Sequence, residues 1–326
     1  MRIRVLSIVM ILLMVLVVGC GDNQEGAKDE KIKIGVIQIV EHPALDSARQ
    51  GFKDLLAEQG YKEGTDVVYD YQNAQGDMST AQTIAKTFSQ KDFDLILAIA
   101  TPTSQAVANA IKDTPILITA VTDPKSAGLV DNMEQPGGNL TGTSDLTPVK
   151  KQLSLFNKLK RDIKKVGILY NSGETNSVFL KNLANEKAAE LGLEMIEAPV
   201  TSSSEVYQTA QSLVGRVDGI YVPTDNTIVS AIQSVIKVSN ENNLPLIVAD
   251  NSSVKEGALA TLGIDYYKLG KQTGNMAVKV LDGTDPGELP IQRIQEADLI
   301  INQKAAQNMN IEIPQNLLDE AKKVIK

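Results

Sequence analysis

The chain has 326 residues, of which 43% are hydrophobic and 22% charged, and its formal net charge is −8. This composition excludes a disordered chain and a protein with many membrane spans, and the length suffices for two domains of ordinary size. The acidic balance argues against a nucleic acid partner, because nucleic acid phosphates are bound through basic residues. We therefore expect a globular protein of two lobes.

The first nineteen residues have the pattern of a secretory signal peptide. Arg2 and Arg4 precede an almost unbroken apolar run over residues 5–18, which is short for a membrane span. The run ends in LVVGC, and Cys20 is the only cysteine in the chain. This ending resembles the lipobox of bacterial lipoproteins, in which the signal is cleaved before a cysteine that carries a diacylglyceryl group and fatty acyl chains such as palmitate.

The lipobox resemblance implies that Cys20 is lipidated and that the mature protein is anchored in the lipid bilayer of the cell membrane, outside the cytoplasm. Residues 20–31 are rich in glycine and charge, which predicts a flexible tether. The alternative is a plain signal peptide, removed by cleavage, with a cysteine that carries no lipid.

From residue 32 the sequence alternates short apolar runs with amphipathic segments of helical period. This alternation is typical of α/β proteins with parallel sheets and helical crossovers. A first helix is predicted to begin at Pro43 and to end at Gly60. The other elements of this first series are strands near 32–40, 66–71, 94–100 and 115–120, and helices near 78–90 and 102–111.

A second series of the same kind follows Thr147-Pro148, which predicts a second similar lobe. Its predicted strands lie near 165–170, 193–198, 218–222 and 245–249, and its helices near 148–159, 175–191, 203–214 and 226–240. The remaining residues predict a strand (258–264), a long helix (266–281), a β-rich stretch (290–302) and a short helix near 315–325. These residues are too few for a third domain, so we expect them to complete both lobes.

Residue types that catalyse reactions or bind metals are scarce. His42 is the only histidine, and with a single cysteine the chain lacks the ligands for a His/Cys metal site or a thiol nucleophile. Neither a Walker A sequence, a G-x-S-x-G motif nor a G-x-G-x-x-G motif after the first strand occurs. We expect no metal, no cofactor and no enzymatic activity. Paired carboxylates of the glycosidase type stay open as an alternative, because their separation cannot be deduced from sequence.

Small polar residues follow nearly every predicted strand. In open parallel sheets, ligands bind beyond the carboxyl ends of the strands, where helix N-termini also present free N–H groups. Each such residue alone is explained as a helix N-cap, but two lobes facing each other through these ends form a cleft suited to a small zwitterion. The candidate ligand-binding residues are His42, Thr101, Thr103, Ser104, Asp123, Asp145, Asn171, Thr224, Asp225, Asn226 and Asp250.

Within this set, His42 is interpreted first as the cap of the helix that begins at Pro43 and second as a ligand contact. The hydroxyl groups of Thr101, Thr103 and Ser104 are the predicted partners of a ligand carboxylate. A ligand ammonium requires a carboxylate, because charge-assisted hydrogen bonds are the stronger ones. Asp225 is the first choice for this role, and Asp145 or Asp250 is the second.

Five segments resemble one known family, in the same order along the chain. They are HPALDSARQGF (42–52), TDPKSAGLV (122–130), PGGNLTGTSD (136–145), YVPTDNT (221–227) and ALATLGIDYYKLGKQTG (258–274). They are similar to the substrate-binding lipoproteins of ABC importers in the tryptophan/tyrosine transporter group, and the resemblance covers residues 31–326.

The resemblance implies a type I periplasmic-binding-protein fold, with two doubly wound parallel-sheet lobes hinged by three crossings and a ligand cleft between them. The crossings are expected near 143–147, 264–267 and 290–297. The N-terminal lobe is expected to comprise 32–144 and 265–290, and the C-terminal lobe 145–264 and 291–326.

The function implied by the resemblance is that of a monomeric extracytoplasmic receptor. It captures a small molecule, expected to be tryptophan, tyrosine or phenylalanine, by closure of its lobes and delivers it to an ABC permease with its ATPase. Aromatic side chains near the predicted strand ends are few, and Tyr266 and Tyr267 are interpreted as packing residues. A ligand sensor for a membrane signalling protein, a sugar or nucleoside receptor and an extracellular hydrolase remain as alternatives. A LacI-like repressor has a similar core, but the chain lacks its DNA-binding helices.

Overall fold

The computed structural model describes residues 31–159, 162–294 and 296–326. The predicted signal peptide (1–19), Cys20 and almost all of the predicted tether lie outside the described residues and stay predictions. Within the described ranges, no helix is both long and apolar enough to cross a membrane.

The first half of the chain alternates strands and helices as the sequence predicts. Apolar, β-branched runs form the strands and the amphipathic segments between them form the helices. The elements are β1 (Ile32–Gln38), α1 (Pro43–Glu58), β2 (Val67–Asn73), α2 (Met78–Phe88), β3 (Leu95–Ile99), α3 (Thr101–Ala110), β4 (Ile116–Val121) and β5 (Leu140–Ser144).

The second half repeats the alternation and then returns to both lobes. Its elements are α4 (Val149–Lys158), β6 (Lys165–Asn171), α5 (Thr175–Glu190), β7 (Glu194–Val200), α6 (Val206–Ser212), β8 (Gly219–Val222), α7 (Asn226–Ser230), α8 (Ile232–Glu241), β9 (Leu246–Val248) and α9 (Asn251–Glu256). The return comprises β10 (Ala260–Gly263), α10 (Tyr266–Leu281), β11 (Gln292–Arg293), β12 (Asp298–Asn302), α11 (Gln303–Asn308), α12 (Gln315–Glu320) and β13 (Lys323–Ile325).

The described strands form two sheets, which confirms the predicted fold class. One sheet has the order β11-β5-β4-β3-β1-β2 and is parallel throughout. The other has the order β13-β12-β10-β9-β8-β6-β7, and only its β12 and β13 run antiparallel to the rest. In the described chain, each sheet has its own hydrophobic core, which is the physical basis of two lobes.

The described chain passes between the lobes three times, in agreement with the expected crossings. The chain crosses from one lobe to the other after β5, after β10 and after β11. Of these strands, β11 is the last one along the chain that belongs to the N-terminal sheet. Gln292–Arg293 pairs with β5 and therefore lies in the N-terminal sheet, although the predicted N-terminal lobe ends at 290. The remaining lobe boundaries stay a prediction.

Several elements differ from the sequence prediction. The predicted helix 226–240 is two helices separated at Ala231, and the predicted C-terminal helix ends at Glu320. Residues 323–325 instead pair with β12, because edge pairing of Val324 and Ile325 outweighs the local preference for helix. Strand β5 was not predicted, because its buried Thr and Ser residues give no apolar signal. Helices α9 and α11 are too short to show a period.

Helices α1 and α10 of the N-terminal lobe pack with their backbones in contact. A Cβ atom on Gly51 would lie 2.1 Å from the carbonyl oxygen of Tyr267, and one on Gly270 would lie 1.9 Å from that of Ala48. No side chain other than hydrogen fits at these two positions. The backbones of the two helices are therefore in direct contact at this point.

Candidate ligand-binding site

A cavity of about 20 Å³ lies between the carboxyl ends of the two sheets. With the lobes in this arrangement, that volume admits about one water molecule. Both lobes and two of the crossings contribute to its walls. The lining residues are His42, Ala44, Leu45, Ala120, Thr122, Asp145, Asn176, Thr224, Asp225, Asn226, Val229, Asp250 and Tyr266.

Six of the predicted site residues line this cavity, and five do not. The six are His42, Asp145, Thr224, Asp225, Asn226 and Asp250. The other five, Thr101, Thr103, Ser104, Asp123 and Asn171, lie nearby at strand ends. Their roles as ligand contacts stay a prediction.

Most of the predicted site residues that lie outside the cavity have hydrogen-bond partners within the protein. The hydroxyl groups of Thr103 and Ser104 donate to the carbonyl oxygens of Ile99 and Ala100, at 2.6 and 2.8 Å. Asp123 accepts a hydrogen bond from the backbone N–H of Ser126 at 2.8 Å, as in a turn. These hydroxyl and carboxyl groups contribute to local backbone structure at the edge of the sheet.

A buried polar cluster in the C-terminal lobe is organised around Glu174, which sequence reasoning did not select. Its carboxylate accepts hydrogen bonds from Thr227 (2.8 Å) and from the side-chain amides of Asn226 (2.5 Å), Asn171 and Asn176 (both 3.2 Å). Glu174 is 8% exposed. Four donors around one buried carboxylate satisfy both of its oxygens.

Asp225 belongs to the same cluster and caps α7. Its carboxylate accepts hydrogen bonds from the backbone N–H groups of Ile228 (2.8 Å) and Asn171 (2.6 Å). Burial, followed by the nearby Glu174 carboxylate, raises the pKa of Asp225 to about 7. The Asp225 carboxyl group is therefore held by the protein itself.

Asp250 is a second internally satisfied carboxyl group at the cavity. One of its oxygens caps α9 through the backbone N–H groups of Ser252 and Ser253, and the other accepts the hydroxyl of Ser253 at 2.6 Å. Burial raises its pKa. Its geometry is that of an ordinary N-cap.

Asp145 differs from these acids, and it lies at the first crossing between the lobes. The hydroxyl of Tyr266, at the second crossing, donates to its Oδ2 at 2.6 Å. Its Oδ1 is buried and has no hydrogen-bond partner among the described residues. Burial raises the pKa of Asp145, and hydrogen bonds from the side chains of Tyr266 and Thr122 and from its own backbone N–H oppose that rise. Tyr266, interpreted from sequence as a packing residue, thus also lines the cavity.

His42 occupies the N-cap position of α1, but its side chain makes no capping hydrogen bond. This corrects the interpretation of His42 as a side-chain cap. Burial lowers the pKa of His42 to about 4, although a hydrogen bond with the side chain of Asn226 opposes this. The imidazole is therefore neutral at neutral pH. Its Nδ1 has no partner in the described part of the chain.

A hydroxyl pair spans the cavity between the lobes. The side-chain oxygens of Thr122, after β4, and Thr224, after β8, are 3.4 Å apart. Such a distance is at the outer limit of a hydrogen bond. The two lobes thus touch across the cleft through small polar groups.

Two α/β lobes joined by crossings and facing a buried polar cavity define a two-lobed solute-binding protein. Residues 33–325 match the family described as ABC transporter substrate binding protein, and the chain belongs to this family. The resemblance found in the sequence segments is confirmed at this level. Members of such families are receptors that act outside the cytoplasm, in association with an ABC transporter.

The chain is also similar to a curated protein named as a tyrosine-binding protein of Clostridioides difficile (strain R20291). The two are 45% identical over 291 residues, which are 89% of this chain and 84% of the relative. A solved structure of an ABC domain in complex with L-Trp from Streptococcus pneumoniae is 38% identical, with a TM-score of 0.87. The match covers 91% of this chain and all of the solved one.

A third similar structure is the ligand-free, open form of a substrate-binding protein with adhesive properties from Clostridium difficile. It is 44% identical over 90% of this chain and 99% of the solved one, yet its TM-score is only 0.68. The L-Trp complex, at lower identity, superposes better. The lobes of this chain are therefore arranged more like those of the liganded structure than those of the open one.

Proposed function

We propose that this protein is the receptor of an ABC importer for an aromatic amino acid, namely tryptophan, tyrosine or phenylalanine. It captures the amino acid between its lobes and delivers it to the permease with its ATPase. The protein itself catalyses no reaction. We also propose that the protein works as a monomer, with one chain contributing residues of both lobes to the cavity.

The observation that carries this proposal is the lining of the cavity. Its described lining residues include three carboxyl groups, those of Asp145, Asp225 and Asp250, and neither lysine nor arginine. A positively charged group on the ligand compensates for buried carboxyl groups. Apolar walls formed by Ala44 and Leu45, with Ala120 and Val229, suit an apolar ring.

The names of the relatives support the same ligand class. One relative is named for tyrosine, and a solved structure contains L-Trp. The lobe arrangement of this chain is more like that of the L-Trp complex than that of the open structure, which supports capture of the ligand by closure of the lobes.

Ligand screening tests the proposal. Residues 21–326 retain both hydrophobic cores and are to be unfolded partially and refolded, so that any carried ligand is removed. Melting curves are then recorded with each of the twenty amino acids, with sugars and with nucleosides. A ligand at one hundred times its dissociation constant adds about 2.7 kcal/mol, enough to raise the melting temperature by several degrees.

We expect a large shift with one or more aromatic amino acids. The chain contains no tryptophan, so bound tryptophan also reports itself by its own indole fluorescence. A shift with a sugar or nucleoside and with no amino acid overturns the proposed ligand while keeping the family.

We also propose that Cys20 is acylated and that the protein is anchored on the outer face of the cell membrane. Two or more acyl chains are required for stable anchoring, because each buried methylene contributes only about 0.8 kcal/mol. Labelled palmitate supplied to cells should enter the wild-type protein and not the Cys20→Ala variant, and the variant should leave the membrane fraction. Equal labelling of both proteins contradicts the anchor.

A further inference from the structure

Among the described residues, three of the eight buried polar side-chain atoms without a hydrogen-bond partner belong to residues that line the cavity. His42 Nδ1, Asp145 Oδ1 and Asn176 Oδ1 are buried without a hydrogen-bond partner in the described chain, and all three residues line the cavity. Their residues are 8%, 3% and 4% exposed. Buried polar atoms are almost always hydrogen-bonded, because leaving one unpaired costs about 1–3 kcal/mol. Three such atoms at one cavity indicate that a ligand completes their bonds.

Two of these atoms are acceptors. Asp145 Oδ2 is held by Tyr266, which leaves Oδ1 as the free acceptor of a buried carboxylate. The amide nitrogen of Asn176 donates to Glu174 at 3.2 Å and to the carbonyl oxygen of Thr224 at 3.4 Å, and this orients the amide with its oxygen unpaired. Together they offer a carboxylate and an amide oxygen to an ammonium group.

The N-terminus of α1 is the complementary group in the same cavity. The first N–H groups of a helix have no acceptor within the helix, and α1 has 16 residues and begins with a proline. Ala44 and Leu45, the next two residues, line the cavity, and His42 provides no side-chain cap. A carboxylate is favoured at such a helix end. His42 Nδ1, beside it, is a third unpaired acceptor, because the other ring nitrogen of the neutral imidazole donates to Asn226.

We propose that these two groups bind the two charged ends of an α-amino acid. Asp145 Oδ1, with Asn176 Oδ1 and His42 Nδ1, accepts hydrogen bonds from the ammonium group, and the free N–H groups at the N-terminus of α1 bind the carboxylate. This inference rests on the proposed function and assigns the atoms that perform it. Helix α1 belongs to the N-terminal lobe and Asn176 to the C-terminal lobe, so a bound amino acid contacts both lobes.

Ligand analogues test this assignment on the wild-type protein first. Tryptophan is compared with indole-3-propionate, which lacks the ammonium group, and with tryptamine, which lacks the carboxylate. Dissociation constants are measured by calorimetry, and if the receptor prefers tyrosine, the corresponding phenol analogues replace them. We expect each analogue to bind about 100-fold more weakly than the amino acid, because indole-3-propionate leaves the buried Asp145 carboxylate unpaired and tryptamine leaves the N–H groups at the N-terminus of α1 unpaired.

Two variants then test the ammonium end. Asp145→Asn should weaken amino acid binding about 100-fold and change the affinity for indole-3-propionate by less than about threefold. His42→Ala should weaken the binding of the amino acid and of tryptamine by about tenfold and change indole-3-propionate binding by less than about threefold. The matched control is Asp319→Asn, on the exposed surface of α12, which should bind all ligands like the wild type.

The possible results distinguish the two proposals. If Asp145→Asn keeps the wild-type preference for tryptophan over indole-3-propionate, the assignment of Asp145 is wrong. If the analogues bind to the wild type as tightly as the amino acid, the assignment fails even without any variant. A wild-type protein that binds aromatic amino acids in either case retains the proposed function. A wild-type protein that binds no amino acid overturns both proposals.

Discussion

In the C-terminal lobe, the carboxyl groups of Glu174 and Asp225 are surrounded by donors from the protein, whereas Asp145 at the first crossing has one oxygen bound and one unbound. All three residues are less than 10% exposed, and they lie at or beside one cavity. Burial alone therefore does not distinguish a structural acid from a binding one. The two kinds of acid are distinguished by the number of hydrogen-bond donors that the protein itself supplies to the carboxyl group.

The largest effect is expected from Glu174→Ala. It removes the acceptor of four buried donors, so the free energy of unfolding should fall by about 3–5 kcal/mol. Urea unfolding of the ligand-free protein measures this loss. The control is Glu190→Ala, which breaks only exposed ion pairs and should leave the free energy of unfolding almost unchanged. If the free energy of unfolding of Glu174→Ala equals that of the control, the polar cluster does not stabilise the fold.

The pH dependence of stability reports on Asp225. The pKa of Asp225 is about 7 in the folded protein and near its ordinary value of 3.8 in the unfolded chain, so the folded state binds the proton more tightly. The contribution of Asp225 to stability should therefore be fully present below pH 4, fall as the pH rises towards about 7 and then level off. The contribution is at most about 4 kcal/mol, since one pKa unit corresponds to about 1.4 kcal/mol.

Asp225→Asn separates this contribution from those of other groups. Asparagine is also a good N-cap and does not titrate, so the variant should lose less stability between pH 4.5 and 7.5 than the wild type does. Melting temperatures at both pH values provide the comparison. An equal loss in the two proteins means that Asp225 is already ionised in the folded state at pH 4.5.

A smaller effect is expected from Tyr266→Phe, because Tyr266 acts through Asp145 as a positioning residue. Loss of its hydroxyl should weaken amino acid binding about tenfold and leave indole-3-propionate binding unchanged. The hydrogen bond from Tyr266 lowers the pKa of Asp145, so in the variant Asp145 should take up its proton at higher pH. Amino acid affinity should then begin to fall at a higher pH as the solution is acidified.

The neighbouring residue provides a matched control for this variant. Tyr267 donates its hydroxyl to Asp54 on the exposed surface, at 2.8 Å. Tyr267→Phe should bind the amino acid with wild-type affinity and an unchanged pH profile. Equal effects of the two substitutions contradict a specific role of Tyr266.

The smallest effect is expected from Thr122→Val and Thr224→Val. The hydroxyl contact between these residues is long at 3.4 Å, so its loss should weaken ligand binding by less than about threefold. The same calorimetric titration measures it. A tenfold loss in either variant means that the hydroxyl group binds the ligand directly.

Most of the fold was predictable, because strands such as Leu95–Ile99 are continuous apolar runs and helices such as Tyr266–Leu281 show a clear period. Strand β5 was not, because Thr143 and Ser144 are buried through hydrogen bonds to Thr273 and to the carbonyl oxygen of Thr122. Burial of a hydroxyl depends on partners distant in sequence, which a local pattern does not reveal.

The location of the candidate site was predictable from the sequence, but the role of each residue in it was less predictable. Asp225 and Asp145 both follow strands, and the sequence ranked Asp225 first as the ammonium acceptor. The donors that occupy Asp225 include the backbone of Asn171, which is 54 residues away in the chain. That contact exists only in the folded lobe, and it is the reason why we now propose Asp145 for the role.

Close packing of α1 against α10 connects the two charged ends of the proposed site. The packing depends on Gly51, which meets the carbonyl oxygen of Tyr267, and on Gly270, which meets that of Ala48. Helix α1 carries the proposed carboxylate site at its first turn, and α10 begins with Tyr266, which donates to Asp145. In our proposal this helix pair therefore fixes the distance between the carboxylate site and the hydroxyl that orients Asp145. Asn176, on the C-terminal lobe, contributes to the ammonium site through the arrangement of the two lobes.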